Sequence, residues 1–77
     1  MVTPEQIRGA RAMLGMTQSD LAQRAGISTT GLNNIERGHA DPKASTLRAI
    51  ETALRDAGVI FIDQNGNGPG VRLARKS

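Results

Sequence analysis

Glycines at positions 15, 26, 38 and 58 cut most of this 77-residue chain into four segments, each short enough to be marginal as an isolated helix. A small hydroxyl residue stands near the start of every segment, and a residue free to take positive φ stands at its end. Thr3-Pro4-Glu5-Gln6 reads as a helix start, with Thr3 as N-cap, Pro4 at the first position and Gln6 closing a capping box. Ile7, Ala10, Met13 and Leu14 then form a stripe at helical spacing, which predicts a first helix over 4–14. Thr17 caps a second helix of about eight residues, with Leu21, Ala22 and Ala25 inward and Asp20 favourable in its first turn. Ser28 caps a third, stapled by Ile27 and buried through Leu32 and Ile35, which Gly38 stops. After the loop that contains Pro42, a fourth helix starts near Ser45, and its inward residues are Leu47, Ile50, Ala53 and Leu54.

Past Gly58 the pattern changes from helical to alternating. Val59 to Ile62 is β-branched and aromatic, residues 64–70 are turn chemistry, and residues 71–75 alternate apolar with basic or small. The expected fold is therefore mainly α: a bundle of four short helices over 1–58, followed by a C-terminal two-stranded β-hairpin over 59–77. A lone hairpin is marginal in water, so this one must pack on the helices or pair with another chain.

Composition removes several kinds of chemistry. There is no cysteine, so neither a disulfide nor a thiolate site can form, and His39 is the single histidine. His39 reads as a plain loop residue. The carboxylates are scattered, and the glycine-rich stretch 66–70 lacks the Lys-Ser/Thr of a phosphate loop, so we expect neither an enzyme nor a cofactor. Phe61 is the only aromatic residue, which argues against modules that stack single-stranded bases. The longest aliphatic-aromatic run, Val59 to Ile62, is far short of a membrane span, and the N-terminus does not read as a signal peptide. The expectation is a cytoplasmic protein with no membrane partner. Net charge is +3, but residues 1–58 carry seven basic against six acidic groups, which permits nucleic-acid binding without demonstrating it.

The second and third segments, joined at Gly26, make a helix-turn-helix pattern over 17–37. Ala22 is small where two helices should cross, and Ile27, Leu32 and Ile35 face the other helices. That leaves Thr29, Thr30, Asn33 and Asn34 facing out. Four short uncharged polar residues are unusual on a solvated helix face, where Glu and Lys form helices better. They suit base edges: asparagine can bond adenine through two atoms, and a threonine methyl can pack on thymine. Thr29 and Thr30 could equally be ordinary residues beside a cap.

The stretch MTQSDLAQRAGISTTGLNNIERGHADPKASTLRAIETAL resembles the Cro/C1-type (Xre-like) helix-turn-helix family, the lambda-repressor-like domains of phage repressors. The resemblance spans roughly residues 3–57. It rests on Thr17-Gln18, Leu21-Ala22, Ala25-Gly26-Ile27-Ser28, Ile35-Glu36-Arg37-Gly38 and Thr46-Leu47 taken together. It implies that Thr29, Thr30 and Asn34 reach bases in the major groove, with Asn33 beside them on base or backbone. It implies that Gln18 bonds a phosphate and braces the third helix, and that Arg37 contacts phosphate. Thr17, Ser28 and Lys43 join the expected phosphate contacts. It also implies a structural ion pair between Arg11 and Glu36, against the alternative of a free surface arginine. Gly31 sits oddly inside the third helix, either for close approach to DNA or to the second helix, or as tolerated drift.

On this reading the chain is a sequence-specific regulator of transcription that binds double-stranded DNA, expected as a homodimeric repressor on a palindromic operator. The hairpin is then either a dimerisation element or an element packed on its own subunit, with Arg72, Arg75 and Lys76 adding phosphate contacts or solubility. The alternative is a protein-interaction module on the same fold, antitoxin-like or antiactivator-like, with a toxin or an activator as its partner.

Overall fold

The computed structural model describes residues 1–63 and 66–74. Four helices come first: α1 (Pro4–Leu14), α2 (Gln18–Ala25), α3 (Thr29–Glu36) and α4 (Ala44–Ala57). Two antiparallel strands follow, β1 (Val59–Ile62) and β2 (Gly70–Leu73), in the register Val59 to Leu73 and Phe61 to Val71. Arg75 and Lys76, named above as basic groups of the tail, lie outside the described residues.

The local signals act as the chemistry requires. The Thr3 hydroxyl accepts from the Gln6 N–H, and the Gln6 side chain accepts from the Thr3 N–H at 2.9 Å, which closes the capping box. Thr17 and Ser28 accept from the amides of Asp20 and Gly31, each three residues on. The helix-turn-helix corner depends on Gly26, whose φ of 73° is left-handed and turns the chain from α2 into Ile27. Boundaries in three elements differ from the sequence reading. Helix α3 stops at Glu36, with Arg37 as its cap. Helix α4 starts at Ala44, one residue early, after an N-cap residue, Lys43, that gives no side-chain hydrogen bond. Strand β2 runs from Gly70 to Leu73, where the sequence reading had 71–75.

Ile7, Leu21, Leu32, Ile50, Leu54 and Val59 are fully buried and come from every helix and from β1. Around them lie Val2, Ala10, Ala22, Ile35 and Ala53. Ala22 is the small residue that lets α2 sit against its neighbours, and α2 packs on both α3 and α4. Met13 is a correction: the helical stripe placed it inward, but it is 46% exposed, because Ile7, Ala10 and Leu14 already fill the contact. Val2, ahead of the first helix, is buried where periodicity had nothing to say.

The hairpin is packed on its own chain. Val59 is buried, and Phe61 and Val71 lie against the core from the same sheet face. Helix α1 packs on β2 and α4 on β1. At Gly9 of α1 a side-chain carbon would stand 3.4 Å from a methyl of Val71, so the absence of one brings the strand close. Arg55 of α4 lies over the Phe61 ring at 5.8 Å. Gln6 contributes a further tie. Its Nε2 donates to the carbonyls of Gly70 at 2.8 Å and Ile62 at 3.3 Å, so one buried side chain both caps α1 and pins the turn end of the hairpin.

Candidate nucleic-acid interface

Helix α3 carries the polar residues, and its buried side decides how they are presented. Leu32 and Ile35 fasten the helix to the core, which leaves Thr29, Thr30 and Asn34 exposed on the opposite side. Among the described residues, no hydrogen bond engages the side chains of these three. Asn33 is different: it is half-buried and its carbonyl oxygen accepts from Gln18 Nε2 at 3.2 Å.

The orientation of α3 is held by Glu36, whose side chain is only 2% exposed. A carboxylate out of water needs its oxygens filled. Arg11 fills them from α1 in fork geometry, Nε to Oε2 and Nη2 to Oε1, both at 2.7 Å. Gln18 adds a donor from α2 at 3.3 Å. Arg11 also donates to the Met16 carbonyl at 3.0 Å, in the link between α1 and α2. Its hydrogen bonds to Glu36 raise the Arg11 guanidinium above its ordinary value, against partial desolvation and with the aid of charge attraction. A raised cationic group contributes stability that is complete below the ordinary arginine range and lost only above it. Three helices therefore meet at one carboxylate, and Arg11, Gln18, Asn33 and Glu36 form a single hydrogen-bonded set.

The other sequence-selected residues stand around this set. Thr17 and Ser28 occupy the N-caps of α2 and α3, both exposed. Arg37 caps the C-terminus of α3 and Lys43 precedes α4, both exposed. The first amides of α2, at Gln18 and Ser19, lie at a helix N-terminus, where N–H groups lack intrahelical partners. Gly31 has a local explanation: a side-chain carbon there would come 2.9 Å from the Ser28 hydroxyl that caps the helix, and no α2 atom lies within 4 Å of it.

Sequence reasoning missed Arg8. Its guanidinium donates to the Glu36 carbonyl, so α1 grips the C-terminal end of α3 twice. The sequence shows only that Arg8 and Arg11 stand three apart on one face of α1, not that Arg8 meets a carbonyl of α3. No group of ionisable residues among the described ones could hold a metal ion.

Comparison with known proteins agrees with this geometry. The helix-turn-helix family model matches residues 7–55. The transcriptional regulator ClgR of Mycobacterium tuberculosis is 37% identical over 76 residues, which cover 97% of this chain and 63% of that protein. The chain thus spans less than two thirds of the length of these relatives, which come from two strains. The DNA-binding domain of the P22 C2 repressor superposes with a TM-score of 0.65 at 29% identity, over 71% of this chain and 72% of that one. The wild-type restriction-modification controller protein C.Esp1396I superposes at 0.64 with 31% identity, over 68% of each chain.

Proposed function

The chain belongs to the Cro/C1-type helix-turn-helix family, and from that premise we propose that it is a sequence-specific, double-stranded-DNA-binding regulator of transcription. The observation that carries the proposal is the state of α3. The helix is rigidly held from behind by the Glu36 set, yet it offers short polar side chains with no internal partner on its outer face. A surface that is preorganised and chemically unsatisfied is what base readout in the major groove requires. Thr29, Thr30, Asn33 and Asn34 are the base readers in this reading. Arg37 and Lys43 supply cationic phosphate contacts, and Thr17, Gln18 and Ser28 supply them from the helix starts. For Gln18 that contact runs through its backbone N–H, because its side-chain amino group is spent inside the protein.

A second copy completes the reading. Ile60 and Ile62 are exposed at 40% and 36% on the sheet face turned away from the core, and Leu73 is exposed at the far end of β2. Joining two such hairpins by that outer face about a two-fold axis would cover the two isoleucines, and a repressor-like dimer of this kind reads a palindrome with its α3 helices about 34 Å apart. The localisation that goes with this is the cytoplasm.

Selection from a random duplex DNA library at near-physiological salt tests the whole reading. An enriched palindrome with half-sites one turn apart is the expected result. A single half-site would retain DNA binding and remove the dimer. No enrichment, with affinity vanishing as salt rises, would overturn DNA recognition in favour of a protein-binding role.

A further inference from the structure

The buried Glu36 carboxylate does more than hold α3 in place, because it dictates which way two amide side chains face. Ionised and gripped by Arg11, it has only acceptor atoms to offer. Gln18, the third group at the carboxylate, must therefore present its amino group to it. That amino group has one further hydrogen, and the group it meets is Asn33, which must turn its carbonyl oxygen inward to accept it. Asn33 is left with its own amino group as the atom available outside.

The geometry points to Asn33 as a donor-only reader of guanine. This inference rests on the DNA-binding reading above and adds to it the base and the sense of the contact. Asparagine with both amide atoms free pairs with adenine, giving to N7 and accepting from N6. The Asn33 oxygen is turned inward to Gln18, so the N6 amino group of adenine would face another amino group. Guanine offers N7 and O6, two acceptors side by side in the major groove, and both suit an outward-facing amino group. Glu36, which touches no base, thereby acts as a positioning residue through Gln18, and its charge chooses the base.

The test is a base-preference selection with the full chain and its variants N33A, N33D and E36Q, each checked for folding by circular dichroism. In the wild-type protein one position of each half-site should be guanine, and that position alone should lose its preference in N33A. Replacing that guanine by 7-deazaguanine should weaken the wild-type protein about fivefold, the scale of one hydrogen bond, and leave N33A unchanged. N33D keeps an inward oxygen for Gln18 and puts an acceptor outside, so the position should move to cytosine, whose N4 group donates. E36Q removes the fixed sense of the relay, so adenine should appear beside guanine. If E36Q fails to fold, N33D and the deaza substitution carry the decision. Adenine, thymine or cytosine preferred by the wild-type protein at that position would overturn the inference. So would a preference that N33A leaves intact. Either result would leave DNA recognition standing, whereas a wild-type protein that enriches no sequence would remove both.

Discussion

Replacing Arg11 by alanine removes the cation from beneath α3, and the structure sets the size of the effect. Arg11 makes two bonds of 2.7 Å to Glu36 and one of 3.0 Å to the Met16 carbonyl. Without them the Glu36 carboxylate, 2% exposed, keeps a single side-chain donor, Gln18 at 3.3 Å. Breaking a buried pair by removing one partner costs about 3–5 kcal/mol. The Arg11 side chain is 21% exposed, so water can enter the space it leaves, and the cost falls to the lower end, about 3 kcal/mol. A domain of this length holds roughly 4–12 kcal/mol in all, so the loss is a large share of its stability. Urea denaturation followed by far-UV circular dichroism should show it, and the melting temperature should drop by roughly 10–25 °C. The paired replacement of Arg11 by methionine and Glu36 by leucine removes both charges and should cost much less than the alanine substitution alone. If R11A lies within about 1 kcal/mol of the wild-type protein, or the paired variant is as unstable as R11A, the carboxylate does not depend on its arginine and the account of how α3 is held is wrong.

Three further outcomes follow from other parts of the molecule. Gln6→Ala removes the capping box and both hairpin tethers, for a loss of about 2 kcal/mol, and hydrogen exchange should quicken at the hairpin amides more than at those of α3; equal effects in both places would show that the tether is idle. Gly9→Ala should stabilise by up to about 1 kcal/mol in thermal melts, because the helix gains propensity and the new methyl group meets Val71 at ordinary contact distance; a destabilised variant would mean that α1 and β2 cannot accept it. On the selected DNA site, Asn34→Ala should relax one base position at a cost of about 1–3 kcal/mol, while Arg37→Ala should weaken all sequences alike and reduce the salt slope by about one; identical behaviour of the two would remove the division between base readers and phosphate contacts.

The sequence by itself determined the segments. Capping at Thr3, Thr17 and Ser28, the glycine after each helix and the apolar stripes are interactions within a few residues, and local interactions can be read in a line of text. They located α1 and α2 to the residue and placed Thr29, Thr30 and Asn34 on the outside of a helix. The Arg11–Glu36 pair was reached only through family resemblance, since twenty-five positions separate the two residues and nothing local joins them. Met13 shows the limit of periodicity: helical spacing marks a side, but whether a side chain is covered depends on what stands opposite. Tertiary structure alone decided that Gln6 spans from α1 to the hairpin, that Arg8 reaches the end of α3, and that the Gln18 amino group lies between Glu36 and Asn33. Each of these depends on where a distant chain segment brings a donor or an acceptor. The hydrogen-bonding sense of Asn33 belongs to the same class, because an amide can face either way until a neighbour with acceptors alone removes the choice.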